Sequence, residues 1–351
     1  MTTRVVTYNL LSTKLAGPDY HVHCEAKYLA TEYRWEKLQA KLLTEMKNNA
    51  IICLQEVSTE WLEKLTPFFN AQQYTIVGGT YGYAPYDGDM GVFVAYPHQS
   101  VKLEELRLSK PGREIKKYTV KLLKSRYERF INYIFWMIIV LFKFPVVRSM
   151  PFKDKLMKLI MKKEDPWQKA IAKDNILLLC RFKSKPEAPS FCVATYHMPC
   201  NFTNPSLMLI HSSIAVKMVA SFAGKDRYVF AGDFNLKPVD LGYKMITEGG
   251  SNYNQAVERS PDLKVQWVAS VEQPLMSAYK ELNGKEPKFT NFSFCKGAPQ
   301  FKDCIDYIFC SKGWQVTGVT PLPEETVGEA YPGADEPSDH LMIGANLTMV
   351  D

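Results

Sequence analysis

The run Arg227-Tyr-Val-Phe-Ala231 and the Gly232-Asp-Phe-Asn235 that follows it constrain this chain more than any other stretch. The run reads as a short buried strand stopped by Gly232, so Asp233 and Asn235 lie where the chain leaves a sheet. A carboxylate and a carboxamide two residues apart at a strand end suit two jobs. The first takes a proton from water, and the second hydrogen-bonds a phosphate oxygen without repelling it. Gly-Asp-Xaa-Asn is also ordinary turn chemistry, so its meaning depends on what accompanies it.

The pattern recurs along the chain. Residues 4–11 alternate as a strand whose polar exception is Asn9. From about Tyr28 to Met46, the spacing of Trp35, Leu38, Leu42, Leu43 and Met46 predicts a helix, and 50–54 a buried strand delivering Gln55-Glu56. Strand, helix and strand ending in Glu is a layout for a metal-binding carboxylate at a sheet edge, although an exposed loop Glu fits the same letters. Further strands are predicted at 74–79, 91–96, 176–182 and 190–196, the last delivering His197. The Tyr- and Gly-rich residues 80–89 form a loop, able to stack on a substrate ring or simply to lie in solvent. Asn204 caps and Pro205 opens a helix to about Phe222. In the predicted strand 304–310, Asp306 is the lone charge, and a buried charge needs a partner. Pro337-Ser-Asp-His340 precedes a final strand over 341–347.

Asn9, Glu56, His197, Asp233 with Asn235, Asp306 and Asp339-His340 thus each sit at or beside a strand end. Carried by Tyr8-Asn-Leu-Leu, Leu54-Gln-Glu-Val, Gly232-Asp-Phe-Asn, Ile305-Asp-Tyr-Ile-Phe and Ser338-Asp-His, the chain resembles the endonuclease/exonuclease/phosphatase superfamily over about 1–100 and 175–351. Tyr33-Arg34-Trp35, and Phe289-Thr-Asn-Phe leading into Phe301-Lys-Asp-Cys-Ile-Asp306, make it similar to the deadenylase and nocturnin branch. The resemblance implies an α/β, DNase-like four-layer sandwich of two mixed sheets flanked by helices. It forms a single catalytic domain over 1–351 with a helical insertion.

The implied reaction is Mg²⁺-dependent hydrolysis of a phosphoester, with Mn²⁺ the alternative ion. The substrate is RNA, acted on by a 3′→5′ exoribonuclease, or a small nucleotide. Glu56, with Asn9 and Asp339, holds the metal; Asp233 orients and deprotonates water; Asn235 binds the scissile phosphate. His197 and His340 stabilise the phosphorane, Asp306 holds His340 in its charged form, and Phe301 stacks a base unless it is simply a core residue. Members usually carry Thr before the first catalytic His, and Glu before a Gly-led strand to orient that His. Here Tyr196 and Asp89-Met90-Gly91 stand in those places, with Asp89 the nearest replacement. A sphingomyelinase-like lipid phosphodiesterase, a nucleotide phosphatase and, from another class, an inactive binding scaffold are the alternatives.

Charge singles out the middle. Residues 101–185 hold 22 Lys and Arg against 8 Asp and Glu, a surplus of +14 that leaves −8 for the remainder. Within 110–175, residues 130–142 are apolar except for Asn132, and 152–163 places Phe152, Leu156 and Ile160 opposite a lysine face. A bilayer crossing would separate Glu56 from Asp233, which must share one site. A helical cover for the core, or attachment of residues 126–163 to an anionic membrane surface, remains. The eight cysteines form no Cys-Xaa-Xaa-Cys pair, and the first residues read as a strand rather than a secretory leader. The expectation is a reducing, cytoplasmic setting without zinc, peripheral on the cytosolic face where the membrane is engaged.

Overall fold

The computed structural model describes residues 2–82, 90–121 and 165–350. Its first strands are β1 (Thr2–Asn9), β2 (Ile51–Gln55), β3 (Tyr74–Tyr81), β4 (Met90–Pro97), β5 (Lys102–Ser109) and β6 (Thr119–Lys121). There follow β7 (Leu177–Lys183), β8 (Phe191–His197), β9 (Arg227–Asp233), β10 (Leu263–Val265) and β11 (Met276–Ser277). The last are β12 (Asn291–Ser293), β13 (Phe301–Asp303), β14 (Asp306–Cys310), β15 (Trp314–Val319) and β16 (Ile343–Met349). One six-stranded sheet has the order β15-β16-β1-β2-β4-β3 and the other β11-β14-β9-β8-β7-β5. Each is mixed: β1 and β2, and β8 and β9, pair in parallel, and the other neighbours are antiparallel.

Successive side chains of a strand point to opposite faces, and here both faces are covered. Val5, Ile51 and Cys53 of the first sheet meet Val193, Val229 and Ile308 of the second in a shared core. On the outer face of the first sheet, Val6, Tyr8 and Ile52 pack under Leu38 and Leu42 of the helix Thr31–Lys47, and Trp61 and Phe69 of Thr59–Ala71. Outside the second, Ala194, Tyr196 and Phe230 pack under the helix Pro205–Ala223. Helices, sheet, sheet, helices: the four expected layers are present. The Asn204 side chain accepts from the Leu207 N–H and caps that helix as its sequence predicts. Among the described residues it alone is long and apolar enough to cross a membrane, and it lies buried in the core.

Gly232 does not stop its strand. Pairing continues through Asp233, because Tyr196 lies opposite Gly232 in the parallel register, and a Cβ there would stand 2.1 Å from the Tyr196 carbonyl oxygen. Only glycine lets the two backbones approach so closely. The flanks of the basic segment also belong to the body. Ile115 from the helix Pro111–Lys117, and Trp167 and Ala170 from Pro166–Ile171, are buried beside the helix Pro205–Ala223. The apolar run 130–142, the lysine-faced 152–163 and Asp89 lie outside the described residues.

Candidate active site

Strand register assembles the site. Asp306 lies opposite Asp233 in the β14–β9 pair, and Asp233 opposite His197 in the β9–β8 pair, so three polar groups form one row across the second sheet. All three occupy positions of the face turned toward the first sheet. Asn9, at the end of β1, faces them from the other side, and its Nδ2 donates to both Glu56 Oε1 and Asp233 Oδ2 at 3.0 Å. Glu56 follows β2 at a position that would point outward. Its φ of 54° turns it back, and the Ser12 N–H donates to its Oε2 at 3.0 Å. Behind the row, Gln55 ties the sheets together by donating to Thr7 at 3.0 Å and Thr195 at 2.9 Å.

Asp233 is the hub. The Asn235 N–H donates to its Oδ1 at 2.9 Å, and the Nε2 atoms of His197 and His340 stand 3.5 and 3.7 Å from its Oδ2. Burial lifts its pKa to about 6; His340 works against that rise and Asp306 adds to it. His340 Nδ1 lies 2.8 Å from Asp306 Oδ2, which supplies the partner that the lone buried charge required. Burial by itself lowers the His340 pKa, but Asp306, Asp339 and Asp233 together hold it well above the ordinary value. Thr290, given no role within Phe289-Thr-Asn-Phe, donates to the same Asp306 oxygen at 2.6 Å and accepts from the Ile305 and Asp306 N–H groups.

The other expected residues are placed as follows. Asn235, at a left-handed φ of 50°, donates its Nδ2 to the Met198 carbonyl at 2.9 Å. Asp339 is half-buried and receives Asn291 Nδ2 at 3.3 Å. The Ser338 hydroxyl beside it donates to the Asn9 carbonyl at 2.7 Å, joining the two loops. Phe301 opens β13 with its ring centroid 5.8 Å from Phe202 and 5.1 Å from Lys237 Nζ. Tyr196 points to the outer face and its hydroxyl meets His211, which is why a large residue is accommodated before His197. The described partner of His197 Nδ1 is the Tyr81 hydroxyl at 2.9 Å, which no short motif foretold.

The donor set suits a hard cation. Carboxylates of Glu56, Asp233 and Asp306 are buried and that of Asp339, next to His340, is half-buried; Asp306 Oδ1 has no hydrogen-bond partner among the described residues. Asn9 faces them with its nitrogen, while its oxygen accepts from the Leu11 N–H at 2.9 Å. As placed, Asn9 orients Glu56 rather than offering an oxygen to an ion. Ligand atoms of Asp233, Asp306 and His340 also lie within 4.8 Å of one another. The Asp306–His340 hydrogen bond already uses one nitrogen there.

The family model described as Endonuclease/Exonuclease/phosphatase family matches residues 6–340. The chain belongs to that family. Human 2′,5′-phosphodiesterase 12 is 23% identical over 366 residues, covering 98% of this chain and 51% of that protein, so the chain spans about half the length of this relative. ANGEL2, described as a 2′,3′-cyclic phosphatase and solved with adenosine-2′,3′-vanadate, has a similar fold. It gives a TM-score of 0.69 at 19% identity, over 99% of this chain and 96% of that one. The human Nocturnin catalytic domain with bound sulfate gives 0.61 at 16% identity, over 99% and 95%. The two solved structures share the fold of this chain.

Proposed function

We propose that the chain is a metal-dependent phosphodiesterase acting on RNA ends or small adenine-containing nucleotides, as a 3′→5′ exoribonuclease or small-nucleotide phosphodiesterase. The observation that carries this is the row Asp306–Asp233–His197, with Glu56 and Asn9 facing it and His340 seated on Asp306. Glu56 and Asp339 would hold Mg²⁺, with Mn²⁺ the alternative ion, and a divalent ion there supplies charge neutralisation and polarises phosphate oxygen. Asp233, held by Asn9 and the Asn235 N–H, takes the proton of the attacking water. Burial raises the pKa of this carboxyl, which makes it a stronger base for that proton. His340 and His197 present nitrogens to the same space, where the phosphorane's negative charge grows, and Asn235 is the residue assigned to the scissile phosphate. The Phe301 ring, with Phe202 and Lys237 around it, is the shelf for a base.

An assay of poly(A), 2′,5′- and 3′,5′-linked oligoadenylate, NADPH and sphingomyelin, with Mg²⁺ or with EDTA, tests the reading. Adenylate hydrolysis that EDTA abolishes is expected; turnover of sphingomyelin alone would overturn it. On the sequence grounds above, residues 126–163 are proposed to attach the enzyme to an anionic membrane surface. Wild type should sediment with phosphatidylserine vesicles at low salt and the double variant Trp136→Glu, Ile139→Glu should not; wild type left in the supernatant would end that proposal.

A further inference from the structure

We propose that Tyr81, oriented by Asn175, holds His197 with Nδ1 as the acceptor and Nε2–H facing the reacting phosphate, making Tyr81 a positioning residue for the reaction. The inference rests on the reading of His197 as a phosphate-facing group. Tyr81 ends β3 at the edge of the first sheet, and its phenol reaches across to His197 at the end of β8 in the second. Asn175, just before β7, places Nδ2 2.9 Å from the His197 carbonyl oxygen. A carbonyl only accepts, so this contact settles which end of the amide is NH₂. The same nitrogen stands 3.5 Å from the Tyr81 oxygen, with its second hydrogen available to that weaker contact.

Tyr81 is 8% exposed, and burial pushes its pKa well above the usual phenol value, so the proton stays on oxygen. A buried O–H must find an acceptor, and His197 Nδ1 is the one within reach among the described residues. Donation therefore runs from Asn175 to Tyr81 to His197. The Nδ1 lone pair is used, and the ring hydrogen sits on Nε2. That atom is 3.5 Å from Asp233 Oδ2 and 3.8 Å from Glu56 Oε1, the mouth of the site.

The chain contains a second copy of this arrangement in which both ends are dictated. His211 Nδ1 lies 2.9 Å from the Tyr196 hydroxyl, and its Nε2 lies 3.0 Å from the Ala170 carbonyl oxygen. The carbonyl requires an N–H from Nε2, so Tyr196 must donate to Nδ1. His211 is thus an internal standard for the tautomer assigned to His197.

The test reads the tautomer without substrate and the rate with it. In long-range ¹⁵N–¹H spectra of labelled protein at one neutral pH, His197, assigned by its loss in His197→Asn, should show the Nε2–H pattern of His211. Tyr81→Phe, which keeps the ring and removes the hydroxyl, should turn it into a mixture of tautomers. With an adenylate oligonucleotide and Mg²⁺, that variant should lose roughly 10- to 100-fold in kcat with KM within about threefold. This is less than the roughly 10²–10³ that losing a direct oxyanion donor costs. If Tyr81→Phe fails to fold, Asn175→Asp asks the same question: an acceptor beside the phenol should draw its proton and move His197 toward Nδ1–H. A wild-type Nδ1–H pattern, an unchanged tautomer in Tyr81→Phe, or a loss confined to KM would overturn the inference. Wild type with the assigned tautomer but no phosphoesterase activity would instead sink the functional reading and leave the assignment standing.

Discussion

His197 and His340 both aim Nε2 at Asp233, from 3.5 and 3.7 Å, yet they are built differently behind the ring. His340 rests on a carboxylate, itself held by Thr290 and left with one oxygen unpartnered among the described residues. His197 rests on a phenol. A carboxylate at Nδ1 stabilises the imidazolium, whereas a hydroxyl that must donate stabilises the neutral ring. The two rings therefore reach Asp233 from different supports, a carboxylate on one side and a phenol on the other. Two residues of one type take different roles because of what lies one hydrogen bond further out.

The group both histidines share should matter most. Asp233→Asn keeps the shape and removes the base, and kcat should fall by about 10²- to 10⁴-fold with substrate binding largely kept. Near-normal kcat in steady-state assays would remove Asp233 from its role. Asp306→Asn should cost about 10²–10³ in kcat, because the charge that keeps His340 cationic is lost while an acceptor remains. The contrast between the two sides requires this loss to exceed that of Tyr81→Phe; equal losses would show that the partner's charge does not matter. Glu56→Gln should raise the Mg²⁺ concentration needed for half-maximal activity, and a titration with an unmoved midpoint would place the ion elsewhere.

The smallest effect concerns His211, the histidine paired to a phenol with no site to serve. Burial lowers its pKa to about 4, against about 6.5 in an unfolded chain. Its neutral form is the folded one, so its contribution is complete above about pH 6.5. As pH falls toward 4 the unfolded chain takes up a proton that the folded chain refuses, and up to about 3 kcal/mol of stability is lost. Urea unfolding at pH 7 and pH 4.5 should show a shallower decline in His211→Asn than in wild type; parallel declines would refute the assignment.

The sequence was enough to place most strand ends, because each apolar run is closed by one polar residue. Period two then decides which of those residues face inward. Val5, Thr7 and Asn9 share one face of β1, and Val229, Ala231 and Asp233 share one face of β9. The helix Pro205–Ala223 was equally legible from Asn204-Pro205 at its start. Other features depend on contacts far along the chain, which local pattern cannot report. Gly232 read as a stop, yet the close approach of Tyr196 makes it the residue that lets the strand continue. Glu56 reaches the site only through a left-handed turn, and Asn9 meets it through nitrogen rather than oxygen. Tyr81 and Asn175 carried no motif, and Thr290 stood in one without a role, since a hydroxyl or an amide acquires its role only from the partner that tertiary packing sets against it. Sequence determined which groups stand at the ends of the strands. The register between strands and the facing of two sheets decided which of them meet, and with which atoms.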